Sequence, residues 1–262
     1  MMNKKILYAV VVVVIIAVAG VAVYLNGGSG GNLSSYIGMP VPQSQISQLS
    51  SIALNTTLAN NVGAGIVTPY PSSVTGGNVT MVNGKPAVIY VGGEFCPYCA
   101  LTRWGLIIAL MRFGNFSSLH YMTSSPTDVY ASTPTFTFVN SSYSSGIISF
   151  LPAEIANISD EPLQQLSPLQ SAAASKYDTG GGIPFIDFGN KTVQVGIPPS
   201  ISPGFLKGMT WSQIIGTIPE SNSTISQTII GQANIFTAQI CEIDGMTPSS
   251  VCSQPYVAKI LS

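Results

Sequence analysis

The feature that most constrains the fold is a pair of cysteines, Cys96 and Cys99, placed between an apolar run and a helix-compatible segment. The preceding run, residues 86–91, is apolar on both faces, which is typical of a central strand in a sheet. The following segment, residues 100–113, carries apolar residues at helical spacing. The sequence therefore predicts an α/β fold in which the cysteine pair lies at the N-terminus of a helix.

Cysteines spaced in this way are suited to disulfide exchange. The helix dipole and the free N–H groups of the first turn stabilise a thiolate on Cys96, which would attack, while Cys99 would resolve the mixed disulfide. Between them, Pro97 lacks an N–H and presets φ for the first turn, and Tyr98 completes the redox loop. A structural disulfide and a metal site are the alternatives, but the chain has one histidine, His120, and no second pair at this spacing. No metal and no cofactor are predicted.

Two charged residues near the pair are candidate modulators of the thiol pKa. Glu94 precedes Cys96, and Arg103 lies four residues after Cys99 on the same predicted helix, where its charge would favour a thiolate. A solvated arginine without such a role is the alternative.

A second pair of cysteines, Cys241 and Cys252, is separated by ten residues that include Gly245 and Pro248. Outside the cell, two such cysteines most often close a structural disulfide. A relay that passes electrons to the first pair is the alternative.

The order of these elements resembles that of the thioredoxin-like superfamily. Ile183-Pro184 precedes a strand, a turn and a second strand, in the place of that family's cis-proline. The resemblance implies that Ile183 lies against the cysteines and offers backbone hydrogen bonds to a substrate chain, while Pro184 holds the bend. Tyr90 stands where thioredoxins carry a buried carboxylate, so the proton relay has no assigned residue.

More narrowly, residues 92–100 together with Arg103-Trp104 and residues 112–114 resemble an archaeal family of uncharacterised thioredoxin-like proteins, domain of unknown function 929. This resemblance extends over most of residues 45–255. It implies a fold and an archaeal origin, but it supplies no substrate.

The N-terminal segment is predicted to be a membrane anchor. Residues 6–25 are 20 residues without a charge, long enough to cross a hydrocarbon core. Lys4 and Lys5 precede this run, so the positive-inside rule predicts a cytoplasmic N-terminus and an extracytoplasmic domain. A cleaved signal peptide is the alternative.

The composition is poor in charge. Charged residues make up 7% of the chain, and the formal net charge is −1, so nothing recruits nucleic acid. Eight Asn-X-Ser/Thr sequons predict that some sites are glycosylated. The sequons begin at Asn32, Asn55, Asn78, Asn115, Asn140, Asn157, Asn190 and Asn222.

The predicted fold class is α/β and thioredoxin-like, a central mixed sheet flanked by helices, with an insertion between the active-site helix and the cis-proline and one preceding transmembrane helix. The predicted divisions are a cytoplasmic tip (1–5), an anchor (6–25), a linker (26–42), a thioredoxin-like domain (43–208) with an insertion near 125–160, and a helical C-terminal part (209–262).

The predicted function is an extracytoplasmic thiol-disulfide oxidoreductase in the cell membrane that acts on exported proteins with thiols or disulfides. Its membrane electron donor or acceptor is unidentified. The alternative is a non-enzymatic, membrane-anchored binding module in which both cysteine pairs are structural disulfides.

Overall fold

A computed structural model describes residues 33–75 and 77–262, which form one compact unit. The helices are α1 (Gln43–Ala53), α2 (Thr56–Val62), α3 (Pro97–Leu110), α4 (Pro168–Tyr177), α5 (Trp211–Thr217), α6 (Thr224–Ile243), α7 (Ser249–Cys252) and α8 (Pro255–Leu261). The strands are β1 (Ser72–Ser73), β2 (Met81–Val82), β3 (Lys85–Gly92), β4 (Asn115–Thr123), β5 (Pro134–Ser144), β6 (Ser149–Glu154), β7 (Phe185–Phe188) and β8 (Thr192–Val195). Short 3-10 helices span Leu33–Tyr36 and Pro203–Leu206.

Six of the strands form a mixed sheet with β3 at its centre. β3 pairs with β6 in parallel and with β7 antiparallel, and β8 and β1 continue the sheet beyond β7. β2 forms a hairpin with the first residues of β3, as the Asn83-Gly84 turn predicts. The sheet therefore presents the C-terminal end of β3 to the loop that carries the cysteines.

Both faces of β3 are covered, which explains its continuous apolar sequence. Val88 and Tyr90 belong to the main core that contains α3 and α6, and Ile89 and Val91 belong to a second cluster that includes residues of α4. The prediction of a central strand over residues 86–91 is confirmed.

The predicted arrangement of strands after α3 is wrong. Residues 118–124 are predicted to form the next strand, and β4 contains all of them except Ser124. Among the strands of the described residues, β4 pairs with β5 alone and forms a separate two-stranded sheet. β6 lies within the segment predicted to be an insertion, yet it is the parallel neighbour of β3. Pro152 within β6 weakens the strand pattern, and an edge strand tolerates it because one side needs no ladder hydrogen bonds. The inserted unit is thus the β4–β5 hairpin.

The predicted fold class is accordingly corrected to a mixed α/β architecture of one mixed sheet, a separate hairpin and flanking helices. Within residues 33–75 and 77–262, none of the helices combines the length and the hydropathy that a membrane span needs. The predicted anchor at 6–25 lies outside the described residues.

Two helices begin where side-chain caps place them. The apolar spacing of residues 46–58 predicts one short helix that ends near Gly63. The segment is instead divided between α1 and α2, because Asn55 caps α2 and accepts a hydrogen bond from the Leu58 N–H at 2.9 Å. Residues 161–175 are predicted to be helical, but α4 begins only at Pro168, because Ser167 forms a capping box there.

Candidate functional site

The turn between β3 and α3 holds the cysteine pair as predicted. Cys96 is the N-cap of α3, and its Sγ accepts a hydrogen bond from the backbone N–H of Cys99 at 3.2 Å. Pro97 occupies the first helical turn, where a missing N–H costs no hydrogen bond. The helix therefore directs an otherwise unpaired backbone donor at the Cys96 sulfur.

The two thiols are free and differ in acidity. The pKa of Cys96 is lowered, chiefly because the Cys99 side chain hydrogen-bonds to its sulfur, and this outweighs the opposing effect of burial. The pKa of Cys99 is raised well above its usual value, first because the thiol is fully buried and then because of its neighbour Cys96. Cys96, which is 4% exposed, is thus the group equipped to act as a nucleophile.

A buried ion pair underlies the cysteine turn. The Arg103 Nε donates to Glu154 Oε1 at 2.8 Å and its Nη2 donates to Glu154 Oε2 at 2.6 Å, with both side chains fully buried. Nη2 also donates to the Gly93 carbonyl at 2.7 Å, which ties the guanidinium to the turn. Arg103 is therefore not a solvated arginine. Its charge adds to the lowering of the pKa of Cys96 and only partly opposes the rise in the pKa of Cys99.

The sequence does not reveal Glu154 as a site residue, because its strand falls in the segment that is predicted to be an insertion. It ends β6 opposite Gly92, one strand away from the cysteine turn. Burial raises its pKa, and Arg103 only partly offsets that effect. A lone carboxylate closing the run Ser149–Glu154 is the signal that could have revealed it, since carboxylates are rarely fully buried without a partner.

Glu94 and Tyr90 complete the surroundings. The Glu94 carboxylate accepts a hydrogen bond from Thr137 Oγ1 at 2.6 Å and adds to the rise in the pKa of Glu154. The Tyr90 ring lies 6.0 Å from the Arg103 guanidinium carbon, and burial raises the pKa of its hydroxyl well above the usual value. Among the described residues, the Tyr90 hydroxyl and the Arg103 Nη1 have no hydrogen-bond partner.

Ile183 and Pro184 lie beside the turn. Their peptide bond is cis, and a Cβ built on Gly93 would lie 3.4 Å from the Ile183 Cδ1. The Pro184 carbonyl accepts from the Gly196 N–H at 2.8 Å, whereas the backbone N–H and C=O of Ile183 have no partner in the described part of the chain. Ile183 therefore offers one unpaired backbone donor and one unpaired backbone acceptor beside the cysteine turn.

A groove of about 490 Å³ opens next to Ile183. It is mainly apolar, and Asp178 is the only charged residue among the described residues that line it. Its apolar walls include Val91, Ile155, Leu166, Ala174 and Phe185.

Cys241 and Cys252 form a disulfide, so the predicted pairing is confirmed. Their Cα atoms are 5.5 Å apart, and both residues are buried in the helical C-terminal part. Within residues 33–75 and 77–262, no hydrogen bond or ion pair joins them to Cys96 or Cys99.

Fold and site together define a mixed α/β protein with a free, asymmetric thiol pair at a helix N-terminus. Residues 73–179, less than half of the chain, match a family described as Domain of unknown function (DUF929). The match supports the resemblance to that family and includes the cysteine pair, Arg103 and Glu154, but not Ile183 and Pro184. The broader thioredoxin-like superfamily and an archaeal origin are not confirmed. Searches of the curated proteins and of the solved structures each found no match.

Proposed function

We propose that this chain is a thiol-disulfide oxidoreductase that acts on polypeptides in an extracytoplasmic compartment. The observation that carries the proposal is the difference in acidity between two free cysteines at one helix N-terminus. The pKa of Cys96 is lowered, whereas the pKa of Cys99 is raised. A nucleophile and a resolving thiol need this difference, since the first must be a thiolate while the second stays protonated until the mixed disulfide has formed. The Cys241–Cys252 disulfide supports an oxidising compartment.

The reaction that fits this pair exchanges one disulfide for another. The Cys96 thiolate attacks one sulfur of a substrate disulfide, whose S–S bond breaks, and the departing sulfur takes up a proton. Cys99 then loses its proton and attacks the Cys96 sulfur of the mixed disulfide, which releases the second substrate thiol. The substrate disulfide is reduced to two thiols and the protein dithiol is oxidised to a disulfide. The reverse sequence oxidises a substrate dithiol.

Each neighbouring group has a role in this scheme. Arg103 stabilises thiolates at Cys96 and Cys99, and Glu154 holds its guanidinium in place. The unpaired backbone N–H and C=O of Ile183 are available to a substrate chain lying beside the turn. Pro184 fixes that segment through the bond from the Gly196 N–H to its carbonyl.

Trapping of the mixed disulfide tests the proposal. A Cys99→Ser variant incubated with a polypeptide that contains one disulfide should accumulate a covalent adduct at Cys96, seen by non-reducing electrophoresis and mass spectrometry. Cys96→Ser should give none, and Cys99→Ser combined with Cys241→Ser and Cys252→Ser should still form the adduct, which excludes trapping at the second cysteine pair. Failure of Cys99→Ser to form an adduct contradicts the proposal.

The low exposure of Cys96, 4%, favours a second candidate, a non-enzymatic binding module. Alkylation of the native protein after mild reduction separates the two. Rapid modification of Cys96 supports the enzyme, and a thiol that reacts only on unfolding supports the binding module.

A further inference from the structure

The tip of the inserted β4–β5 hairpin lies against the cysteine turn. This tip, residues 124–133, is joined to the turn by the Ser125 N–H, which donates to the Phe95 carbonyl at 2.8 Å. The Tyr130 ring meets the Tyr98 ring edge to face, with centroids 5.9 Å apart and an interplanar angle of 83°. The hairpin tip therefore contacts Tyr98, one of the two residues between the cysteines.

The position of Tyr130 is fixed from within the tip. Its backbone carbonyl accepts hydrogen bonds from Ser124 Oγ at 3.0 Å and from Thr133 Oγ1 at 2.8 Å. On its other side, a Cβ built on Gly204 would lie 3.0 Å from the Tyr130 Cε1, so the ring also lies against the 3-10 helix Pro203–Leu206. Tyr130 thus lies between the cysteine turn and that 3-10 helix.

Large apolar side chains are exposed at this contact or next to it in the chain, since Val129 precedes Tyr130 and Phe205 follows Gly204. Tyr98 is 38% exposed, Val129 is 78% exposed and Phe205 is 37% exposed. We call these three residues and Tyr130 the hairpin-tip surface. Asp128 is the single charged residue between 124 and 133. Isolated exposed apolar residues are ordinary, but a group of them beside a reactive thiol is typical of a binding surface.

We infer that the hairpin-tip surface binds apolar side chains that flank the cysteine of a polypeptide substrate. The occupant follows from continuity with the thiol site, since Tyr98 lies between Cys96 and Cys99 and belongs to both. A substrate chain bound at Cys96 also finds an unpaired N–H and C=O at Ile183, which a polypeptide backbone can satisfy. The near absence of charge favours apolar over acidic or basic flanks. This inference rests on the proposed function.

Two matched peptides test the inference on the Cys99→Ser background. Each carries one cysteine as a mixed disulfide with thionitrobenzoate, flanked by Phe and Leu in one peptide and by Ser and Asn in the other. The Cys96 thiolate attacks the peptide sulfur, the bond to thionitrobenzoate breaks, and the coloured thiolate leaves. Its absorbance gives the rate of reaction with each peptide.

The apolar peptide should react about five- to tenfold faster than the polar peptide, in the range that one aromatic contact contributes. Val129→Ser and Tyr130→Ser should each reduce this ratio at least about twofold, and Tyr130→Phe, which keeps the ring, should preserve it. Leu54→Ser is the matched control, because Leu54 is 58% exposed and lies away from the cysteines. The carbonyl of its neighbour Ala53 accepts a hydrogen bond from Arg112, which follows the end of α3 opposite to the cysteine pair.

Equal rates for the two peptides, or an equal fall of the ratio in Leu54→Ser and Val129→Ser, would overturn the inference and leave the proposed function standing. Release of no thionitrobenzoate from either peptide would instead contradict the proposed function. Val129→Ser keeps the test valid if Tyr130→Ser fails to fold, because Val129 is the most exposed of the four residues.

Discussion

The buried pair Arg103–Glu154 predicts a strong energetic coupling that a double-mutant cycle can measure. Glu154→Leu leaves a fully buried guanidinium without its carboxylate, and loss of one partner of a buried ion pair costs about 3–5 kcal/mol. Arg103→Met removes three hydrogen bonds, two to Glu154 and one to the Gly93 carbonyl. The double variant replaces both charges with apolar side chains, so we expect most of the loss to be recovered, apart from about 1 kcal/mol for the Gly93 carbonyl.

The Arg103→Met variant should also show a characteristic pH dependence. Burial raises the pKa of Glu154, and loss of Arg103 removes the main group that lowers it. A carboxyl whose pKa is higher in the folded than in the unfolded state stabilises the fold below the unfolded pKa, and that contribution is lost as the pH rises through the folded pKa. The stability deficit of Arg103→Met relative to wild type should therefore shrink in acid, whereas that of Glu154→Leu should not.

Urea denaturation of the reduced proteins, followed by circular dichroism, gives the four free energies of unfolding. If each single variant loses about 3–5 kcal/mol and the double variant about 1 kcal/mol, the expected interaction energy between the two substitutions is about 5–9 kcal/mol. Additive losses in the double variant, or a Glu154→Leu variant as stable as wild type, would refute the structural role assigned to the pair.

Three further predictions concern other parts of the chain. Replacing Cys241 and Cys252 by serine should lower the free energy of unfolding by about 3 kcal/mol, the conformational entropy that the unfolded chain gains when a loop of this length is opened. An unchanged melting temperature would contradict this. Burial raises the pKa of Asp244 to about 6, so its contribution to stability is present at low pH and is lost as the pH rises through about 6. Asp244→Asn, which keeps an acceptor for the Thr247 N–H, should remove about 1 kcal/mol of this dependence after allowance for solvent screening, and identical stability–pH profiles would refute it. Iodoacetamide should alkylate Cys96 of the reduced protein at lower pH than Cys99, and equal rates at both cysteines across the pH range would contradict the division of acidity.

Local sequence signals predicted the elements that present the thiols. The apolar run before Gly92 identified a central strand because both faces of β3 are covered, and the segment after Pro97 identified the helix. The Cys241–Cys252 pairing also followed from short spacing. Each of these features depends on residues close together in the chain.

The partners of Arg103 and Tyr98 depend instead on tertiary packing. Arg103 meets Glu154 across 51 residues, and Glu154 lies in a strand whose Pro152 concealed its place beside β3. Tyr98 meets Tyr130 because the β4–β5 hairpin folds back onto the cysteine turn. No local pattern specifies such contacts, since they depend on which strands pair and where the hairpin packs.

The redox potential of the Cys96–Cys99 pair tests the central claim most directly. The Cys241–Cys252 disulfide leaves these as the only two free thiols, so equilibration in glutathione buffers and counting of alkylated cysteines by mass spectrometry reports on this pair alone. The account predicts that both thiols oxidise together to one disulfide, with a potential between about −270 and −120 mV, the range of thiol-disulfide oxidoreductases. A potential below about −300 mV, as for structural disulfides, or the absence of any Cys96–Cys99 disulfide at every glutathione ratio, would contradict it.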